Sequence, residues 1–141
     1  PGYNVRPLEL EGALGIEQVK RLPEMVEERR KNGKLLQAAL CNHPDIIIQR
    51  EIGESSWFGF SLVIRPGNPL KRKVLVAKLH ELGFECRPIV AGNFAKNEVV
   101  KYFDSEVYGT LENAEHIDQN GLFIGNHHYP IPEAFAALAK L

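Results

Sequence analysis

The sequence predicts a mixed fold, α/β or α+β, in which a small sheet is covered by helices on one face. Helical patterns open and close the chain, and three apolar runs of strand length lie between them, at 57–64, 84–89 and 122–125. A helical pattern follows each of these runs, which is typical of a layered mixed fold. The length of 141 residues favours one domain. The pattern alone is compatible with parallel and with antiparallel strands.

The first predicted element is a helix with two apolar faces. Pro7 suits a first helical position, because its missing N–H would be unpaired there in any case. Leu8 and Ile16 share one face of this helix, whereas Leu10 and Leu14 fall on the opposite face. A helix that is apolar on two sides is covered on two sides. We therefore expect it to lie between its own core and another domain or subunit. The alternative is that one compact domain fills both faces.

A second helix and two strands are expected next. Pro23 should end or kink the first helix, since proline lacks the N–H donor, and should begin a second helix that reaches about Leu40. The β-branched run 46–48 predicts a short strand, and 57–64 is the strongest strand pattern in the chain. Strict alternation places four of its side chains in the core: Phe58, Phe60, Leu62 and Ile64.

Turn and cap residues divide the following stretch. Asn68-Pro69 predicts a helix start, and Gly83 stands where a left-handed stop would end that helix. The run 84–89 then follows as a strand.

Three further helices are predicted towards the end of the chain. A short helix over 96–103 should turn Val99, Val100 and Phe103 inward. Thr110 is placed to cap a helix that extends to about residue 119. Pro132 opens a terminal helix with three apolar side chains that pack back on the core: Phe135, Leu138 and Leu141.

Composition and charge exclude several classes of function. The chain is 44% hydrophobic with a net charge of −1, so nothing global indicates binding to nucleic acid or to an anionic membrane. It contains no apolar run of membrane-spanning length and no signal-peptide pattern. Cys41 and Cys86 are isolated thiols, which predicts reduced residues in a cytoplasmic protein, with one disulfide as the alternative. The chain starts at Pro1, inside a motif, and we expect it to be a piece of a longer protein.

The chain carries no familiar catalytic or metal-binding pattern. His127 and His128 are adjacent and point to opposite sides of an extended segment, so no metal site is expected. His43, His80 and His116 are expected to be surface residues. The sequence has no GxSxG, P-loop or GxGxxG motif.

Two segments carry groups suited to a phosphorylated ligand. Asn4 lies just before a helix start, where free N–H groups favour anions and its amide could donate to a phosphate. Arg87 and Asn93 offer a guanidinium and an amide around the bare backbone of Gly92, which suits a polyhydroxy or phosphorylated ligand. The structural alternatives are a turn or cap for Asn4, a salt bridge for Arg87 and a turn at Asn93.

These same residues carry a resemblance to a known family. Residues 2–22, GYNVRPLELEGALGIEQVKRL, resemble the G-Y-N-x-R…A-x-x-G-x-x-Q-L-x-x-L stretch of the pyridoxal-phosphate-dependent nucleotide-sugar aminotransferases of the DegT/StrS group. Residues 87–94 and 123–128 resemble the dehydratase branch of that group. That branch removes the C3 hydroxyl of 4-keto-6-deoxy nucleotide sugars.

The resemblance implies a fold and a place in a longer chain. It implies that residues 1–141 form the C-terminal small domain of a fold-type I enzyme, without the large cofactor domain. The expected architecture is a mostly antiparallel three-stranded sheet packed by helices, with a long N-terminal helical segment.

The resemblance also implies roles for individual residues. Asn4 would contact the phosphate of the cofactor, pyridoxal or pyridoxamine 5'-phosphate, bound by the neighbouring subunit of a homodimer. Arg87 and Asn93 would lie near the sugar-nucleotide pocket. The catalytic residue, a Lys or a His, lies upstream in the family, so no catalytic residue is expected in this chain.

Three functions follow from these expectations. The leading one is that the chain is part of a 3-dehydratase for a nucleotide-linked 4-keto-6-deoxy sugar, used for deoxysugars of surface polysaccharide or lipopolysaccharide, and is inactive alone. The second is the C-terminal domain of a nucleotide-sugar aminotransferase. The third is a non-enzymatic α/β interaction module.

Overall fold

The computed structural model describes residues 8–141, and Asn4 lies outside the described residues. Its elements follow in chain order: α1 (Glu9–Leu40), β1 (Ile46–Ile48), β2 (Gly59–Ile64), α2 (Arg72–Glu81), β3 (Cys86–Arg87), 3-10 turns at Phe94–Lys96 and Glu98–Tyr102, α3 (Glu112–Asn120), β4 (Gly121–Gly125) and α4 (Pro132–Leu138). None of the helices within these residues is both long and apolar enough to cross a membrane.

Within residues 8–141 the sheet has four strands in the order β1-β2-β4-β3, and every neighbouring pair is antiparallel. The mostly antiparallel sheet implied by the resemblance is thus confirmed, but the number of three strands is wrong. The additional strand is β1, the short strand predicted from the run 46–48, whose three isoleucines pair with Leu62–Ile64 at one edge. A three-residue run is too short to hold a strand by itself, and β2 supplies the partner that fixes it.

α1 is one helix of 32 residues, and Pro23 lies inside it. Pro23 was predicted to end or kink the first helix and to begin a second one, and both the helix end and the separate second helix are therefore wrong. The C-terminal half of α1 is anchored by four buried residues, Asn32, Gly33, Leu36 and Leu40. We attribute the continuity of the helix to this packing, which outweighs the single hydrogen bond that proline cannot donate.

The N-terminal half of α1 extends away from the core. Its large apolar side chains on both faces are each more than half exposed: Leu8, Leu10, Leu14, Ile16, Val19 and Leu22. The alternative that this domain fills both faces of the helix is wrong, and so is the expectation that its own core covers one of them.

The core lies between the sheet and the helices α1, α2 and α4, and most of β2 contributes to it as predicted. Phe60, Leu62 and Ile64 are buried, whereas Phe58 is 80% exposed and Trp57 only 5% exposed. The prediction for Phe58 is wrong because the strand begins at Gly59, so alternation does not reach back to residue 58. Trp57 adopts a positive φ of 49°, which turns its ring inward instead.

Of the two signals predicted for the ends of α2, the first acts differently from expectation and the second is confirmed. α2 begins at Arg72, three residues later than Asn68-Pro69 indicated, because Asn68 uses its side chain to accept from the N–H of Leu70 at 2.9 Å. Asn68 also donates to the Asp45 carboxylate at 2.7 Å. Gly83 adopts the left-handed φ of 84° predicted for the helix stop.

The predicted helix over 96–103 is replaced by the two 3-10 turns. Asn93 and Asn97 each accept a hydrogen bond from the N–H two residues later, which favours short turns over a continuous helix. Val99 and Phe103 are exposed, so the predicted inward face is wrong for them.

Around the last two helices one prediction fails and another is confirmed. α3 is capped by Leu111 at a positive φ and not by Thr110. α4 begins at Pro132, with Phe135 and Leu138 buried as predicted.

The structure also decides two predictions about cysteine and histidine side chains. Cys41 and Cys86 are free thiols, so the disulfide alternative is excluded. His116 is half-buried, with Nε2 2.8 Å from the carbonyl of Ile64, and is not the surface residue that was expected.

Candidate functional site

A groove of about 700 Å³ runs along the ends of β3 and β4, beside α1 and the start of α4. Its volume lies within the range of small-ligand sites. Charged and aromatic side chains face it together, among them Arg29, Phe58, Glu85, Arg87, Phe123 and Tyr129. This mixture of guanidinium groups and aromatic rings suits an anionic ligand with a planar part.

Arg87 reaches the groove from β3, where it pairs with Phe123 of β4. Its Nε and Nη2 atoms donate to one oxygen of Glu85 at 3.0 and 2.9 Å. The salt bridge that was the structural alternative for Arg87 is therefore formed. Both side chains are about three-quarters exposed, however, and an exposed pair contributes roughly 0–1 kcal/mol. The guanidinium can thus exchange Glu85 for an anionic ligand at little cost.

The structure places Asn93 outside this groove. Its side-chain oxygen accepts from the N–H of Ala95 at 3.3 Å, and its amide donates to Glu115 at 3.2 Å. Asn93 thus caps the first 3-10 turn, as the structural alternative proposed, and is not brought together with Arg87. Its role at the sugar-nucleotide pocket stays a prediction.

An ion-pair cluster holds the loop that contains Asn93 on α3. Lys96 contacts Glu115 at 2.7 Å and Asp118 at 3.5 Å. The hydrogen bond from Lys96, followed by that from Asn93, lowers the pKa of Glu115, and the hydrogen bond to Glu115 raises the pKa of Lys96. This cluster is a structural clamp on the loop.

Arg29 and Asn126 connect α1 to the groove. Arg29 donates from Nη2 to the carbonyl of Asn126 at 3.2 Å, and Asn126 donates back to the carbonyl of Arg29 at 3.1 Å. Asn126, only 6% exposed, also donates to the carbonyl of Trp57 at 2.9 Å. The side-chain oxygen of Asn126 is buried and meets no donor among residues 8–141. The amide therefore stabilises this junction through the two bonds that it donates.

The loop 126–130 forms another wall of the groove. The rings of His127 and Tyr129 stack with centroids 4.6 Å apart. Asn32, buried on α1, donates to the carbonyls of both residues at 3.1 and 3.0 Å. In the part of the chain that the structure describes, no group of three His, Cys, Asp or Glu residues is placed to hold a metal ion.

Sequence reasoning missed most of the residues that line this groove. Arg29 was not singled out from the sequence, and Phe58 was predicted to lie in the core. No local signal marks either one, since their convergence depends on the contact between α1 and the loop after β4.

The groove does not fit the reactive end of pyridoxal phosphate, whose aldehyde is held by an amine. Among residues 8–141 no lysine lines it. Lys20 is paired with Glu17, and Lys96 with Glu115. The groove instead fits the anionic and aromatic parts of a nucleotide.

Known proteins match this chain over most or all of its length. Residues 1–135 match the DegT/DnrJ/EryC1/StrS aminotransferase family. The chain is 55% identical, over 142 aligned residues, to GDP-4-keto-6-deoxy-D-mannose 3-dehydratase of Yersinia pseudotuberculosis, covering 100% of this chain and 36% of that protein. It is 55% identical over 128 residues to the Escherichia coli O55:H7 protein of the same name, covering 90% and 33%. The chain therefore spans about a third of the length of these relatives.

Solved structures give the same result. The E. coli GDP-4-keto-6-deoxy-D-mannose-3-dehydratase with bound hydrated PLP matches with a TM-score of 0.94 at 50% identity, over 99% of this chain and 36% of that one. A mutant GDP-4-keto-6-deoxymannose-3-dehydratase with bound GDP-perosamine matches equally well, with the same TM-score, identity and coverage. A Helicobacter pylori aminotransferase of pseudoaminic acid biosynthesis matches with a TM-score of 0.77 at 17% identity, over 99% of this chain and 37% of that one, which shows a shared fold alone.

Proposed function

This chain belongs to the DegT/DnrJ/EryC1/StrS aminotransferase family, and from that premise we propose that it is the C-terminal small domain, residues 1–141, of a nucleotide-sugar 3-dehydratase. The protein that contains it acts on a nucleotide-linked 4-keto-6-deoxy sugar, with pyridoxal or pyridoxamine 5'-phosphate as cofactor. The product serves deoxysugar and surface-polysaccharide biosynthesis in the cytoplasm.

The main support for this proposal is the similarity of the chain to the dehydratases. Two relatives that are 55% identical to the chain are named as 3-dehydratases of GDP-4-keto-6-deoxy-D-mannose. The aminotransferase alternative has weaker support, since the aminotransferase structures that match are 15–18% identical. A non-enzymatic module is disfavoured by membership of an enzyme family.

Within the proposed enzyme, this chain binds and orients the nucleotide sugar. Arg87 is exposed, faces the groove and can give up Glu85, so its guanidinium is placed to pair with a diphosphate. The cofactor supplies the electron sink for breaking the C3–oxygen bond when it is bound. We place its catalytic residue in the rest of the protein, and we expect no turnover from residues 1–141 alone.

Association of two subunits completes the proposed site. Asn4, outside the described residues, would donate to the cofactor phosphate of the neighbouring subunit. The exposed apolar side chains of the first half of α1 supply a surface for the other domain and the second subunit.

The decisive experiment is product analysis with the full-length protein. It is incubated with GDP-linked 4-keto-6-deoxymannose, with pyridoxamine 5'-phosphate, whose conversion to pyridoxal 5'-phosphate and ammonia supplies the two electrons that the loss of the oxygen requires, and with glutamate as the amino donor that regenerates it. The nucleotide sugar is then examined by mass spectrometry and NMR. We expect a product that has lost the C3 oxygen and kept the C4 ketone. A product that carries an amino group instead would establish the aminotransferase alternative, and turnover by residues 1–141 alone would refute the assignment of a partial site.

A further inference from the structure

An exposed aromatic ring lines the groove. Phe58 is 80% exposed and lies against Phe123, with ring centroids 6.0 Å apart and planes inclined by 29°. The guanidinium carbon of Arg29 lies 5.9 Å from the centroid of the Phe58 ring. The Phe58 ring thus lines the groove and has a second ring and a cation as neighbours.

The surrounding backbone fixes this ring in place. Trp57 takes a positive φ and buries its own ring, which directs the next side chain outward. Asn126 donates to the carbonyl of Trp57 at 2.9 Å and so holds the turn. A Cβ at Gly59 would overlap the ring of Phe123, so the glycine at this position leaves room for that ring beside Phe58. The backbone around the exposed ring is therefore held by defined contacts.

The charges around the ring indicate what kind of ligand it would meet. Two guanidinium groups, of Arg29 and Arg87, face the groove together with the carboxylate of Glu85. A purely apolar partner would cover Arg29 and the Arg87–Glu85 pair without offering them a counter-charge, whereas a nucleoside diphosphate offers a planar base for the ring and phosphates for the cations.

We infer that Phe58, supported by Phe123 and Arg29, is the platform on which the base of the nucleotide stacks. This inference rests on the proposed function and assigns the nucleotide end of the substrate to the mouth of the groove. Phe58 is then a positioning residue, since it binds the base and does not touch the reacting carbon.

Calorimetric titration of the full-length protein with GDP tests the platform. Phe58→Ala should weaken the Kd for GDP roughly 10- to 100-fold, the range found for loss of a stacked base. Phe58→Tyr should bind as the unchanged protein does, and Phe58→Leu should fall between the two. Tyr108→Ala removes an equally exposed aromatic ring that does not line the groove, and should leave the Kd unchanged.

Steady-state kinetics distinguish a stacking role of Phe58 from a structural one. Phe58→Ala should raise KM for the nucleotide sugar with little change in kcat, because the reacting carbon stays in register once bound. A Kd for GDP within twofold of the unchanged protein would overturn the platform while leaving the dehydratase assignment intact. Loss of thermal stability without weaker GDP binding would also overturn it, since Phe58 would then be covered by protein. Failure of the unchanged protein to bind any nucleoside diphosphate would overturn the proposed function as well.

Discussion

The guanidinium of Arg87 is exposed to solvent and lines the groove. Arg87→Gln should weaken binding of a GDP-linked sugar about tenfold, because a charge-assisted hydrogen bond contributes roughly 1.5–3 kcal/mol. The free energy of unfolding should change by less than about 0.5 kcal/mol, since the side chain is 73% exposed. Titration calorimetry and urea denaturation measure the two effects. Arg50→Gln, an exposed arginine outside the groove, is the control, and equal affinity in both variants would contradict the role of Arg87.

Asn126 joins α1 to the turn before β2 through one buried amide. Asn126→Ala leaves the carbonyls of Arg29 and Trp57 without their donor, so we expect the free energy of unfolding to fall by about 1–3 kcal/mol. Urea denaturation measures this fall. Asn42→Ala, at an exposed position just after α1, should change it by less than about 0.5 kcal/mol. A similar small change for Asn126→Ala would mean that the junction is held by other contacts.

At the scale of the element, two glycines of α1 should respond in opposite directions. A Cβ at Gly33 would lie 2.6 Å from Cδ1 of Trp57, whereas one at Gly12 meets nothing within 4 Å among the described residues. Gly33→Ala should destabilise the chain by about 1–3 kcal/mol through overpacking. Gly12→Ala should stabilise residues 1–141 by up to about 1 kcal/mol, because alanine favours the helix. Thermal denaturation of both variants tests the pair, and a neutral Gly33→Ala would contradict the close packing of Trp57.

The clamp between α3 and the loop at Asn93 should respond to pH. The pKa of Glu115 is lowered from 4.5 by its hydrogen bonds from Lys96 and Asn93. A depressed carboxyl pKa contributes stability above the unfolded value, and this contribution is lost as the pH falls through the folded value. Below pH 4.5 the unchanged chain should therefore lose this contribution, whereas Glu115→Gln lacks it at every pH.

Melting temperatures at pH 7 and pH 3 measure the difference. The gap between the two temperatures should be smaller for Glu115→Gln than for the unchanged chain. Glu112→Gln, on the same helix, is the control and should keep the full gap. An unchanged gap in Glu115→Gln would exclude the clamp as a source of acid sensitivity.

Several elements were predictable from local chemistry, and others depend on distant contacts. Gly83 and Pro132 mark their helix ends because each acts on its own backbone. The continuity of α1 through Pro23 could not be predicted, since it depends on packing at Leu36 and Leu40 farther along the chain. The outward turn of Phe58 follows from the positive φ of Trp57, which no residue type at this position signals.

At the scale of the whole molecule, the family predicted from residues 2–22 and 87–94 is confirmed. Of the candidate site residues, Arg87 lines the groove and Asn93 lies apart from it, and the substrate-binding roles of both stay predictions. The other residues of the groove come from α1 and from the loop after β4. Their convergence is a property of the tertiary fold, which periodicity and motifs do not encode.

The exposed apolar side chains in the first half of α1 lead to a prediction about assembly. If the full-length protein forms the proposed homodimer through this face, replacing Leu10 and Leu14 by Asp should shift it to the monomer, because both side chains are more than half exposed in the isolated chain. Burying charged groups in an apolar interface costs several kcal/mol. Sedimentation velocity measures the change. Val74→Asp, an exposed apolar residue on α2, is the matched control, and a dimer that survives the double replacement would place the interface elsewhere.

The unbroken course of α1 has a mechanical consequence. The helix is about 48 Å long, with its apolar half at one end and Arg29 and Asn32 tied to the loop 126–130 at the other. A hinge at Pro23 would take up a change in the angle of the first half of α1, whereas an uninterrupted helix would transmit that change to its second half. We therefore expect a change in the angle of the projecting end to shift His127 and Tyr129, and with them the width of the groove.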